Sequence, residues 1–174
     1  MTRRTLLKAG VAGGALLLLA RALRAPAAAA ASPEAGEPGL DSDARTVLAA
    51  VIPVVLEGAL PTEPGAAQAR DEALAGAARV IAGLPPSARR ELDQLFALLA
   101  FAPTRAIVAG VWSPWPEASR ESIAAFLICW RDSRFALLRS GYDALHQIIL
   151  GAWYGNQRAW PAIGYAGPPA LSLE

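Results

Sequence analysis

Catalysis, metal binding and haem attachment each need a set of side chains, and this chain holds one histidine, His146, and one cysteine, Cys129. One histidine excludes a multi-histidine metal site, and a His/Cys zinc site would need more ligands than are present. No Cys-x-x-Cys-His occurs for covalent haem attachment. Beyond residue 31 there is no Gly-x-Gly-x-x-Gly behind a strand, no phosphate-cradling glycine loop and no Gly-x-Ser-x-Gly elbow. Carboxylates do pair, as in Asp71-Glu72 and Glu91-Asp93, but on polar helical faces where solvated surface is the ordinary reading. Cys129 sits in an apolar run and is expected to be a buried thiol, and His146 a locally bonded helix residue. The expectation is a chain with no catalytic, cofactor-binding or metal-binding residues of its own.

The residues that do stand out are suited to recognition. Between Trp153 and Pro169 the chain packs Trp153, Tyr154, Trp160 and Tyr165 among glycines and prolines. Regular structure should stop there, with Gly155-Asn156 able to take left-handed conformations, yet a solvated tail would not expose so many aromatics. The segment must dock on its own helices or on another protein. Trp112 and Trp115 in Val-Trp-Ser-Pro-Trp-Pro fit either a lid over the core or an exposed hot spot. Arg131 closes a helix with Asp132 and Arg134, where it complements the helix end or anchors a partner. The candidate partner interface is thus Trp112, Trp115, Arg131, Trp153, Tyr154, Asn156, Trp160, Gly164, Tyr165, Gly167 and Pro168. Trp153 and Tyr154 are expected at the core end of the last helix, and Trp160 to Pro168 along the partner.

The elements that must position these residues are helical throughout, since no segment alternates apolar and polar long enough for a strand. A first helix starts near Asp41 or Ser42, with Val47, Leu48, Val51 and Val55 on one stripe, and Pro53 should kink or divide it. A second spans about 65–82, with Ala69, Ala73, Ala77, Val80 and Ile81 inward. Leu84-Pro-Pro-Ser87 turns into a third, carrying Leu92, Leu95, Phe96 and Leu99. One short helix, 104–110, lies between prolines. A fourth follows Pro116 to about Ser133, and a fifth runs 135–154 with Phe135, Leu138, Tyr142, Leu145, Ile149 and Trp153 at steps of three and four. The runs Ile123–Trp130 and Ile148–Leu150 leave an apolar surplus. A partner surface or a central-helix arrangement would absorb it. The expected fold is all-α: a single compact bundle of about five helices over 41–154, with an irregular aromatic, Gly- and Pro-rich extension over 155–174.

Ahead of this domain lies an export signal. Thr-Arg3-Arg4-Thr-Leu6-Leu-Lys8 precedes a mildly apolar run, Ala9–Ala20, then Arg21, Arg24 and a small-residue cleavage zone within Ala27–Ser32. Twelve apolar residues are too few for a membrane span, which needs about 20. Arg3, Arg4, Leu6 and Lys8 resemble the twin-arginine motif of the bacterial Tat pathway, so residues 1–31 are predicted to be a twin-arginine signal peptide and 32–40 a flexible linker. The leader holds five of the 16 basic residues and none of the 15 acidic ones. The remaining chain therefore carries 11 arginines against 15 carboxylates, a net charge near −4. That balance argues against nucleic acid as a partner.

The segment Tyr154-Gly-Asn…Trp160…Ile163-Gly-Tyr-Ala-Gly-Pro168, with Leu48-Ala-Ala-Val-Ile-Pro53 in the first helix, resembles the gluconate 2-dehydrogenase subunit 3 family. That family has a second glycine in the Tyr-Gly turn and proline where Ala166 stands, and the similarity is loosest over 57–120. The resemblance implies a non-catalytic small subunit of a membrane-associated periplasmic complex. Its partners would be a large FAD-dependent dehydrogenase subunit of the glucose–methanol–choline type, usually a multihaem cytochrome c, and the Tat translocase. FAD would belong to the large subunit, which the small one would escort through Tat. A second reading, from the tryptophans alone, is an independent periplasmic helical protein with a small-ligand pocket lined by Trp112, Trp115 and Trp130.

Overall fold

A computed structural model describes residues 40–168. The predicted signal residues Arg3, Arg4, Leu6 and Lys8, the linker up to 39 and residues 169–174 lie outside the described part. Leu40, expected in the linker, belongs instead to the apolar core. Asp41 then caps α1, Ser42–Val55, through a 2.7 Å bond from the Ala44 amide to its carboxylate.

α2 spans Ala66–Ala82, α3 Pro86–Ala100, α5 Arg120–Arg131 and α6 Ala136–Tyr154. Between α3 and α5 the single turn α4, Ala102–Thr104, continues as a π-helical turn, Arg105–Ala109, bent 82° from α3. Short 3₁₀ turns occupy Trp115–Glu117, Gln157–Ala159 and Pro161–Ile163. The chain is all-α, with no strand among the described residues. Five long helices carry the bundle, and the short turns bring the helical segments beyond the five expected. No single helix among the described residues is long and apolar enough to cross a membrane.

α1 is the central helix, packing on α2, α3, α5 and α6 through Ala44, Val47, Leu48, Val51 and Ile52. Pro53 neither divides nor stops it, and the helix runs two residues further. Proline removes the amide that would bond the Ala49 carbonyl, and Ala49 lies on the exposed face of the helix.

The most extensive pairing, α2 on α6, is a seam of small residues. Ala69, Ala73, Gly76 and Ala77 are buried on α2, and a Cβ at Gly76 would stand 3.1 Å from the Ala152 carbonyl oxygen. α5 crosses α6 at Gly141, where the Trp130 ring occupies the space a side chain would take. Covered this way, α6 hides Ile148 and Ile149. The apolar run of α5 is not covered all round. Ile123, Phe126, Leu127 and Trp130 point inward, whereas Ile128 and Cys129 are exposed. The expected buried thiol is therefore an outer-face residue: α5 packs against α1 and α6 on one side only.

Candidate partner interface

The C-terminal extension is anchored to the bundle by one carboxylate. Glu72, midway along α2, accepts two 2.7 Å bonds from Arg158 and one of 2.9 Å from the Asn156 amide, while Gln68 adds a fourth from within the helix. Arg158 first, then Asn156, holds the Glu72 carboxyl down to about 2 from its ordinary 4.5. Asn156 serves both sides, because its own oxygen caps the Gln157–Ala159 turn at the Arg158 amide. Glu72, expected to be solvated surface, is instead this clamp.

Beyond the clamp the extension folds on itself. The Trp160 indole donates to the Tyr154 carbonyl at 3.0 Å, and the Tyr165 ring meets Trp160 edge to face at 5.2 Å. Gly155 and Asn156, able to take left-handed conformations, adopt right-handed and extended backbone instead. The chain reverses later, at Gly164 (φ +68°) and Gly167 (φ +100°). Gly167 has a second reason to be glycine: a Cβ there would lie 3.1 Å from the Trp160 ring. The resulting knob leaves Tyr154, Ile163, Tyr165 and Pro168 outward, with Trp160 half-buried beneath them.

The two tryptophans of Val-Trp-Ser-Pro-Trp separate completely. Trp112 is 81% exposed and Trp115 only 2%. Trp115 is inside because its indole satisfies the Leu99 carbonyl at 2.8 Å and its ring meets Phe126 edge to face. Leu99 is in the last turn of α3, whose carbonyls have no helical partner. Thr104 takes Leu98, and Arg105 reaches Ala100 at 3.5 Å and Val111 at 3.2 Å. This set of side-chain caps fastens the loop between α3 and α5.

Trp153 is also buried in the core, at the end of α6 as expected. Trp115 and Trp153 therefore leave the candidate interface, since a partner cannot reach them. Arg131 is exposed and forks onto its neighbour Asp132 at 2.9 and 3.0 Å, an exposed pair that adds little stability. His146 is half-buried, stacked on Tyr142 with ring centres 5.2 Å apart.

A pocket of Trp112, Trp115 and Trp130 does not form, because the first points to solvent and the other two are packed solid. An open groove of about 470 Å³ runs along α1, between Arg45 and Arg120. Among the described residues no three His, Cys, Asp or Glu side chains gather to hold a metal.

The large apolar side chains left outward are Tyr154, Ile163 and Tyr165 of the knob, Ile107 and Trp112 of the loop between α4 and α5, Ile128 on the outer face of α5, and Phe135 and Leu137 at the start of α6. Large apolar side chains gathered at the surface mark interaction sites. No protein-family model, curated protein or solved structure matches this chain.

Proposed function

We propose that this chain is the non-catalytic small subunit of a periplasmic FAD-dependent sugar or alcohol dehydrogenase, assembling with the flavin subunit and escorting it through Tat. The observation that carries the reading is the knob. A segment rich in aromatic residues is tied to α2 by charge-assisted bonds, so Tyr154, Ile163 and Tyr165 are held outward rather than folded away. Fixing apolar side chains in water has no benefit for a solitary chain, whereas a pre-ordered patch lowers the entropy cost of association. The arginine pair Arg3-Arg4 and the tail's resemblance to the gluconate 2-dehydrogenase small subunit supply the direction. Tat moves folded proteins, a flavoprotein folds around its FAD in the cytoplasm, and one signal serves a tight pair. Membrane association would come through partner subunits, a multihaem cytochrome c among them.

The test is export in trans. With Arg3→Lys and Arg4→Lys together, both this chain and the dehydrogenase activity of its flavin subunit should stay in the cytoplasm. Unchanged periplasmic activity of the partner would end the escort reading.

A further inference from the structure

We infer that the loop 105–112 is a docking site for a protein segment that presents a carboxylate flanked by apolar side chains. The inference deepens the subunit reading, on which it rests for the existence of a protein partner.

Arg105 is the reason. It is only 7% exposed, and its hydrogen bonds go to two backbone carbonyls, Val111 at 3.2 Å from Nε and Ala100 at 3.5 Å from Nη1. No carboxylate among the described residues pairs with it. A buried cation without an anion is costly, and the end of α3 offers only about half an elementary charge in compensation. Among the described residues no buried side-chain nitrogen or oxygen lacks a partner. Nη2, which makes no hydrogen bond, is therefore not fully buried. A guanidinium nitrogen left without a hydrogen-bond partner is a receptor for a carboxylate oxygen.

The surroundings describe the rest of the occupant. The Arg105 carbonyl accepts the Val111 amide at 3.4 Å, closing residues 105–111 into one turn. From this turn projects Ile107, 76% exposed, and the residue that follows the turn is Trp112, 81% exposed. Gly110, at φ +71°, makes the reversal that turns Trp112 outward. The π-helical turn is itself a form frequent at functional positions. An exposed tryptophan and isoleucine beside a half-compensated buried arginine match an acidic residue set among apolar ones. A protein segment fits better than an anionic membrane, which recruits clusters of basic residues. The chain beyond residue 31 is net acidic, with 11 arginines against 15 carboxylates.

The experiment has two arms. In the first, octanoate is titrated into the purified protein, and the emission of Trp112 is isolated by difference from Trp112→Phe. A saturable shift to shorter wavelength is expected with octanoate and none with octanol. The response should weaken by about tenfold or more in Arg105→Met. Ile107→Ser, a surface change that leaves packing alone, should also weaken it and decides the matter if Arg105→Met fails to fold. Equal responses to octanol and octanoate, or a response unchanged in both variants, would overturn the proposal. In the second arm the flavin subunit is co-purified with wild type, Trp112→Ala and Ile107→Ser. Binding that survives both substitutions leaves the subunit reading standing and overturns this one. An octanoate response with no flavin-subunit binding does the reverse. Sedimentation with phosphatidylglycerol vesicles that Trp112→Ala abolishes would assign the loop to lipid and sink the protein segment.

Discussion

Gly141→Ala and Gly151→Ala make the same chemical change on the same helix and should have different effects on stability. In α6 each gains about 0.5–1 kcal/mol of helix propensity. At Gly151 the new methyl group meets nothing within 4 Å, so the gain is kept whole. At Gly141 it would stand 2.5 Å from Cζ3 and 3.0 Å from Cε3 of Trp130, about 1 Å inside ordinary contact. The ring cannot retreat freely. Its nitrogen donates to the Val108 carbonyl at 2.9 Å, and Phe126 meets it edge to face at 4.8 Å. Forcing a methyl group into such packing costs about 1–3 kcal/mol, which outweighs the propensity gain or at least cancels it. The propensity term drops out of the comparison, so the two variants should differ by that overpacking cost. For a domain of this size each kcal/mol moves the melting temperature by about 3–5 °C. Thermal melts by circular dichroism, with urea melts as a second measure, should place Gly151→Ala above wild type and Gly141→Ala well below Gly151→Ala. Coincident melting of the two variants would refute the placement of Trp130 on Gly141.

Three further outcomes follow from the same geometry. Trp112→Ala should change stability by less than about 0.5 kcal/mol, whereas Trp115→Ala should cost about 3–5 kcal/mol; comparable urea midpoints would contradict the separation of the pair. The Glu72 carboxyl is lowered from 4.5 to about 2 by Arg158 and then Asn156. The clamp's contribution is therefore complete above about pH 4.5 and lost as pH falls toward 2. Hydrogen exchange of residues 156–168 should rise over that window, ahead of the helices, and show no such step in Glu72→Gln. A chain ending at Gly155 should keep its helical circular dichroism while one ending at Gly151 loses it, because only the second sheds the buried Ala152 and Trp153; equal helicity in the two would show that α6 does not need them.

The helices were legible because their apolar residues recur at a fixed step. The stripe Val47, Leu48, Val51 and the run Leu92, Phe96, Leu99 point inward as periodicity requires. Periodicity says which residues share a face but not what covers that face. The run Ile123–Trp130 therefore leaves open whether a partner or the bundle covers it, and in the structure Ile128 and Cys129 face out. The two tryptophans 112 and 115 have similar local sequence. What separates them is a carbonyl sixteen residues upstream of Trp115 that needs a donor. Glu72 reads as surface from sequence because its partners lie 84 and 86 residues away. The local hint is the polar run Asn156-Gln157-Arg158 in a tail otherwise apolar and aromatic, side chains that either meet a partner or reach back to the bundle. Gly141, similarly, is a glycine because of a ring on another helix, which spacing cannot reveal.

The caps at the end of α3 have a consequence for how this surface changes over evolutionary time. The loop is held by Thr104, Arg105 and Trp115 acting on backbone carbonyls, and none of those bonds uses the side chain of Ile107 or Trp112. Positions 107 and 112 can therefore be rewritten without altering the scaffold that displays them. On the docking proposed above, a lineage could exchange one partner for another by substitutions at these two positions, at almost no cost to folding.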